Sequence, residues 1–250
     1  MATHAPGAHG ARLGRATGAN GSGSTVSGVV LLLPGASRWA TGPVRPLARA
    51  LARVGGPAGL VTHPVRYGER GGAGPAAAAG RVAAARWAAD EALRRYGDVP
   101  VCLAGYGAGG RAALAAAGHH AVNSVLALAP CLPEAADDSL EPVKQLSGRQ
   151  VLIVHGTNDA RSDPELSFRL AVRAKKVNRS TCRFEVHSDG HGLRDHQAEV
   201  VALSVDFVLG AVLDGRYARP LTDALAAPPP LGLRMPLASG FGRSLLRGAR

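Results

Sequence analysis

Short apolar runs alternate with amphipathic stretches along the middle of the chain. The runs are rich in Val, Leu and Ala and are bounded by turn residues, a pattern typical of buried strands; they occupy residues 29–35, 59–65, 99–105, 122–130, 149–156 and 181–187. Apolar residues recur at helical spacing between them, in residues 43–55, 81–97, 164–177 and 196–213. This alternation predicts an α/β fold, with a mostly parallel central sheet of about six or more strands and helices on both faces. Functional loops of such a sheet lie at the carboxyl ends of its strands.

The predicted domain covers residues 27–213 and lies between two segments of different composition. Residues 1–26 are rich in Gly, Ala, Ser and Thr and contain no apolar stretch of the signal-peptide kind. Residues 214–250 are rich in Pro, Gly and Arg. We therefore expect a flexible N-terminal segment, one α/β domain and a C-terminal tail. No run approaches the roughly 20 apolar residues that a membrane-spanning helix needs, so no transmembrane segment is expected.

Charge and cysteine content narrow the classes of function. The formal net charge is +11, but the arginines of the two flanking segments are sparse and are not interleaved with aromatic residues. A solvated basic tail, without specific nucleic-acid binding, is the interpretation that we favour. The three cysteines are far apart in the sequence and form no C-x-x-C pair, which favours a reducing, cytoplasmic location. The sequence carries no signal of oligomeric state.

The stretch GYGAGGRAAL, residues 105–114, allows two interpretations. Gly105, Gly107 and Gly110 fit the G-x-G-x-x-G pattern of dinucleotide-binding domains. Gly105, Gly107 and Gly109 fit equally a G-x-S-x-G nucleophile turn in which glycine replaces the serine. The dinucleotide interpretation requires an acidic residue at the end of the following strand, and that strand ends at Pro130 without one. We therefore expect no nucleotide cofactor and favour the second interpretation.

Further residues occupy strand ends in the order that a hydrolase triad requires. The sequence HGTND places Asp159 directly after one strand, and HSDGHGL places His191 directly after the next. The strand at residues 29–35 ends in a Pro-Gly turn, where the N–H of Ala36 could face an oxyanion. The N–H of Ala108, after the nucleophile position, could be a second donor. The nearby histidines and aspartates match no standard metal-ligand spacing, so no metal is expected.

Four motifs together resemble the α/β-hydrolase superfamily, in particular small bacterial hydrolases of the dienelactone-hydrolase and acyl-esterase type. They are LLLPG, GYGAGGRAAL, HGTND followed by Pro164, and GHGL, and the resemblance extends from about Val29 to Leu213. It implies an α/β-hydrolase fold without a large cap domain and a small ester-like or apolar ligand. It also implies that Asp159 orients the base His191, that Ala36 and Ala108 form the oxyanion hole, and that Gly107 stands where the nucleophile should be.

The missing nucleophile leaves several functions open. Loss of the attacking residue of a serine triad costs about 10⁶ in kcat, so standard serine hydrolysis is expected to be lost or greatly weakened. His191 could instead activate a water in the vacated space. A neighbouring side chain could also replace the serine, and the candidates are Cys102, Cys131 and Ser37. The alternatives are a non-catalytic pseudo-hydrolase that binds a small ligand or a protein and, with less support, a dinucleotide-binding protein.

Overall fold

The computed structural model describes residues 10–19, 25–35, 42–68, 74–134 and 141–242. Nine strands occur in these residues: β1 (Arg12–Leu13), β2 (Thr17–Gly18), β3 (Gly28–Leu33), β4 (Leu60–Arg66), β5 (Val101–Tyr106), β6 (Val122–Leu128), β7 (Gln150–Gly156), β8 (Thr181–Val186) and β9 (Met235–Pro236). The α-helices are α1 (Val44–Val54), α2 (Pro75–Tyr96), α3 (Ala108–Ala116), α4 (Pro164–Val177), α5 (Gln197–Leu209) and α6 (Arg219–Ala226). The six predicted strands and the helices between them are all present.

The strands form one mostly parallel sheet in the order β1-β4-β3-β5-β6-β7-β8-β9. Strands β3 to β9 pair in parallel, whereas β1 and β2 both pair antiparallel with β4. Because β5, β7 and β8 are parallel, the loops after them open at the same edge of the sheet. Topology therefore brings Gly107, Asp159 and His191 to one end of the molecule.

The sheet is buried on both faces, and its side chains contribute alternately to two hydrophobic cores. Val30 and Leu32 pack in the core of α1, α5 and α6. Val29, Leu31 and Leu33 pack in the core of α2, α3 and α4. This explains why the strands are continuous apolar runs, since a parallel strand covered on both faces has no solvent-facing positions.

Parts of both flanking segments pack on the sheet, outside the predicted domain limits at 27 and 213. In the N-terminal segment, β1 and β2 add to the edge of the sheet at β4. In the C-terminal segment, β9 pairs with β8, and Leu221 and Leu233 are fully buried. A few apolar positions among Gly, Pro and Arg are enough to dock these pieces, because they cover apolar surface at the edges of an existing core.

The connection between β6, which ends at Leu128, and β7, which begins at Gln150, is too short to form a large cap domain. This agrees with the prediction of a fold without one. Within the described residues of this connection the one regular element is a 3₁₀ turn at Lys144–Leu146. Across the described ranges, no helix has both the length and the apolar character needed to cross a bilayer.

The buried side chain of Lys175, in α4, anchors α6 to the domain by hydrogen bonds. The Nζ of Lys175 donates hydrogen bonds to the carbonyl oxygens of Thr181 at 2.7 Å and Ala224 at 2.9 Å, and the side chain is 1% exposed. Replacing Lys175 by Met would leave those buried acceptors unpaired, and we expect it to lower the free energy of unfolding by roughly 1–3 kcal/mol. Urea titration would measure this, with the exposed neighbour Lys176→Met as the control. Equal unfolding midpoints for the two variants would contradict the assignment.

Candidate active site

Gly107 lies in a sharp turn between β5 and α3, with φ of +56° and ψ of −121°. This conformation is costly for a residue with a side chain and is the kind of strained turn that presents a nucleophile. The flanking glycines allow the backbones to approach closely. A Cβ atom on Gly109 would overlap the carbonyl oxygen of Leu33, and one on Gly105 would overlap the carbonyl oxygen of Gly109. The spacing of Gly105, Gly107 and Gly109 therefore serves the turn itself.

Asp159 follows β7 and is 5% exposed. Its Oδ1 accepts hydrogen bonds from the backbone N–H groups of Arg161 at 2.8 Å and Ser162 at 3.1 Å, which fixes the carboxylate plane. Oδ2 points toward His191. Burial on its own would raise the pKa of Asp159, but hydrogen bonds from His155, His191 and the Arg161 N–H outweigh it and hold the pKa well below its usual range. The carboxylate is therefore ionised throughout the physiological pH range.

His191 follows β8 and joins Asp159 to the turn. Its Nδ1–H donates to Oδ2 of Asp159 at 2.7 Å, a tautomer set by the carboxylate, which can only accept. On the other side of the ring, a Cβ atom at position 107 would lie 3.3 Å from Nε2. The structure thus brings the predicted acid, the predicted base and Gly107, the predicted nucleophile position, together.

The loop that carries His191 is held by a second buried carboxylate. Asp189 accepts hydrogen bonds from the N–H groups of Gly190 at 3.0 Å, Arg194 at 3.0 Å and His196 at 3.1 Å. Its carbonyl oxygen accepts from the N–H of Asn158 at 2.9 Å, which ties this loop to the loop of Asp159. The separation of the imidazole and the carboxylate is therefore fixed by backbone contacts as well as by their own hydrogen bond. In the described part of the chain no cluster of His, Cys, Asp or Glu is arranged to hold a metal ion.

The pKa of His191 is raised to about 9. Burial lowers it, but the hydrogen bond to Asp159, the contact with Cys131 and the charges of both groups more than compensate. These two groups and the phenol of Tyr106, whose ring centroid lies 5.2 Å from that of His191, face the imidazole. The site therefore stabilises the proton that His191 carries, and the neutral imidazole, which is the form that acts as a base, becomes more populated as the pH rises toward about 9.

This shift makes the stability of the fold depend on pH. A protonated His191 stabilises the folded state fully below its ordinary pKa of 6.5, and that contribution is lost as the pH rises through about 9. We expect the loss of unfolding free energy on His191→Gln, measured by urea titration, to be larger at about pH 6 than at about pH 10. The exposed His187→Gln, four residues earlier in the same loop, should show no such change. An equal loss at both pH values would contradict the assigned pKa.

Two groups beside the site have contacts that sequence reasoning did not predict. His155, in β7, is fully buried and its Nε2 lies 3.0 Å from Oδ2 of Asp159, so the carboxylate faces two imidazoles. The signal available in the sequence is the histidine of HGTND. Cys131, named above among three possible substitutes, has its Sγ 3.9 Å from Nε2 of His191. Cys102 is buried within β5, and Ser37 and the predicted oxyanion donor Ala36 lie outside the described residues.

A cavity of about 630 Å³ opens beside the turn, between α2, α3 and the segment after β6. Its walls are mostly apolar; Val82, Ala108 and Cys131 line it together with the charged side chains of Arg81, Arg111 and Glu141. This volume is in the range of small-molecule sites. Ala108 is the first residue of α3, so its N–H has no acceptor within the helix.

Solved structures with similar folds are α/β hydrolases, whereas no protein-family model and no curated protein sequence matches the chain. The esterase Pf2001 of Pyrococcus furiosus has 15% identity, a TM-score of 0.60 and coverage of 75% of this chain and 84% of that one. Est1E of Butyrivibrio proteoclasticus, with ferulic acid bound, has 14% identity, a TM-score of 0.63 and coverage of 82% and 97%. XC6422 of Xanthomonas campestris, an α/β serine hydrolase without a lid, has 13% identity, a TM-score of 0.58 and coverage of 78% and 86%.

These similarities agree with the strand order and with the helices on both faces of the sheet. The chain has the α/β-hydrolase fold, and the fold class predicted from the sequence is confirmed. At these identities the comparison concerns the fold, and the roles of individual residues rest on the geometry described above.

Proposed function

We propose that this protein hydrolyses small carboxylic esters with the Asp159–His191 pair as general base and with a nucleophile that position 107 does not supply. The observation that carries the proposal is the alignment of three groups. Asp159 binds Nδ1 of His191 at 2.7 Å, and Nε2 on the opposite side of the ring faces the vacant Cβ position of residue 107 at 3.3 Å. An imidazole held in this way can take a proton from any nucleophile that reaches Nε2.

Stabilisation of the transition state does not depend on the missing side chain. The N–H of Ala108 at the start of α3 is the donor that we assign to the developing oxyanion, and Ala36 remains the predicted second donor. In serine hydrolases that lack a triad member, binding and the oxyanion hole alone retain about 10³–10⁴-fold catalysis over water. A weak esterase is therefore consistent with a glycine at position 107.

The cavity beside the turn supports a small ligand with apolar character. Alanine and valine side chains of α2 and α3 contribute to its walls beside the charged Arg81, Arg111 and Glu141, and we assign the reacting carbonyl to the end lined by Ala108 and Cys131. A short acyl ester could place its acyl chain against the apolar side chains and its carbonyl group at Ala108 and Cys131. The esterase neighbours favour the same substrate class.

The test is the hydrolysis of p-nitrophenyl acetate and butyrate by the native chain, His191→Gln and His187→Gln. General-base catalysis contributes typically 10²–10⁴-fold, so we expect His191→Gln to lower kcat/KM by about 10²-fold. His187→Gln should match the native chain, because that side chain is exposed at the end of β8. Absence of turnover by the native chain would contradict an enzymatic role and favour the non-catalytic binder, and equal turnover in all three proteins would contradict His191 as the base.

A further inference from the structure

We propose that the thiol of Cys131 is the nucleophile that His191 activates, so that the site is a Cys–His–Asp triad whose members follow β6, β8 and β7. This inference rests on the proposed ester hydrolysis and names the group that replaces the missing serine. It makes Cys131 a catalytic residue, since its sulfur would bond to the acyl carbon of the substrate.

The sulfur lies beside the space that a serine side chain would fill. Sγ of Cys131 is 3.9 Å from Nε2 of His191, and it would be 3.5 Å from a Cβ atom at position 107. The same ring nitrogen therefore faces both the vacant position and the thiol. Because Asp159 occupies Nδ1, Nε2 is the ring nitrogen that exchanges a proton with the thiol: the neutral imidazole has its lone pair there, and the imidazolium formed after proton transfer pairs with the thiolate.

Backbone hydrogen bonds hold Cys131 against the turn. Its N–H donates to the carbonyl oxygen of Gly107 at 3.1 Å, and the N–H of Gly107 donates to the carbonyl oxygen of Leu128 at 2.9 Å. The hydroxyl of Ser162, in the loop of Asp159, donates to the carbonyl oxygen of Pro130 at 2.9 Å. The segment after β6 is thus joined to the nucleophile turn and to the acid loop, and the position of the thiol is fixed relative to both.

The other two cysteines provide an internal comparison. Cys102 and Cys182 are fully buried in β5 and β8, and desolvation raises the pKa of each thiol to about 12. Neither can ionise at neutral pH or meet a substrate. Cys131 is partly exposed and lines the cavity together with Ala108, the assigned oxyanion donor. Of the three thiols, it alone combines a base, an oxyanion donor and access to a ligand.

The reaction balances with water as the only co-reactant. His191 takes the thiol proton, and the thiolate attacks the ester carbonyl carbon while the N–H of Ala108 stabilises the oxyanion. Collapse of the tetrahedral intermediate breaks the C–O bond of the ester, and the imidazolium gives its proton to the leaving alcohol. His191 then deprotonates a water, and the water oxygen attacks the thioester carbonyl carbon. Collapse of this second tetrahedral intermediate breaks the C–S bond, the carboxylic acid departs, and the thiolate regains a proton from His191.

Trapping of the acyl group tests this sequence. The native chain would be mixed with p-nitrophenyl acetate, quenched in acid and digested, and the acetylated peptide would be located by mass spectrometry. We expect an acetyl group on Cys131 and none on Cys102 or Cys182, and an adduct that forms much more slowly in His191→Gln. Cys131→Ala should lower kcat/KM for p-nitrophenyl butyrate by about 10²-fold or more, since it removes the attacking atom.

A second measurement does not require turnover. The rate of alkylation of Cys131 by iodoacetamide at neutral pH reports its thiolate character, and we expect His191→Gln to lower that rate about tenfold while His187→Gln leaves it unchanged. A rate that is the same in native chain and His191→Gln would overturn the pairing of thiol and imidazole.

The outcomes separate this inference from the proposed function. Full turnover by Cys131→Ala would overturn the thiol as nucleophile and leave ester hydrolysis in place with water as the nucleophile. An acetyl group that accumulates on Cys131 without turnover would support thiol attack and contradict the hydrolase function. Absence of both adduct and turnover would contradict both.

Discussion

Gly107→Ser should raise kcat/KM for p-nitrophenyl butyrate by about 10³-fold over the native chain, because it would place an alcohol in a turn that faces the proposed base His191 and its partner Asp159. Loss of the nucleophile in a serine triad costs about 10⁶ in kcat, so a partial recovery of this size is within reach. The Cβ atom would lie 3.3 Å from Nε2 of His191, which puts a hydroxyl one bond further out within hydrogen-bond reach. Steady-state assays of the purified variant would measure the gain.

We expect Gly107→Ser to lower the stability of the fold as well as to raise the esterase rate, and a second glycine variant separates the two effects. A side chain at φ of +56° costs of order 1–3 kcal/mol, and the same Cβ atom would lie 3.5 Å from the sulfur of Cys131. Gly148 has a φ of +72° and open space around it, in the turn before β7. Gly148→Ser should therefore lower the unfolding midpoint without raising the esterase rate. An equal rate for Gly107→Ser and the native chain would contradict the presentation of residue 107 to His191.

In the Gly107→Ser background, Asp159→Asn should lower kcat by about 10⁴-fold, the loss seen when the acid of a serine triad becomes an amide. An asparagine must place either its oxygen or its NH₂ group toward Nδ1, while its other group meets the N–H donors of Arg161 and Ser162. If the oxygen keeps those two backbone bonds, the NH₂ group faces His191 and forces the wrong tautomer.

The matched control for that variant is Asp163→Asn, four residues further along. Asp163 caps α4 by accepting from the N–H of Glu165 at 2.8 Å, and asparagine is an equally good capping residue. It should leave both rate and stability close to those of its parent. A loss below about tenfold for Asp159→Asn would show that the carboxylate does not orient the base.

The fold and the central geometry of the site could be predicted from the chain because each depends on local signals. Buried strands such as residues 149–156 are apolar runs with turn residues beside them, and the order of Gly107, Asp159 and His191 follows the order of strands in the sheet. Parallel pairing then brings their loops to one edge without further information.

Other features depend on contacts between distant parts of the chain. The motif HGTND contains His155, but it does not indicate that the ring would share the carboxylate of Asp159 with His191, because that depends on how the loop folds back over β7. The nearness of Cys131 to Nε2 likewise depends on hydrogen bonds between the segment after β6 and the turn at Gly107. The pairing of β9 with β8 was not predicted, because the Pro and Gly residues around β9 favour a loop. The two-residue strand forms because β8 is at the edge of the sheet and can pair with it.

The most direct test of the proposed pairing of His191 with position 107 is the reaction of Gly107→Ser with a fluorophosphonate probe. The adduct would be located by mass spectrometry. We predict stoichiometric phosphonylation of the serine at position 107, with little or no reaction in the Gly107→Ser/His191→Gln double variant. A folded Gly107→Ser protein that stays unlabelled, or that labels at the same rate without His191, would contradict the claim that an Asp159–His191 pair faces a vacated nucleophile position.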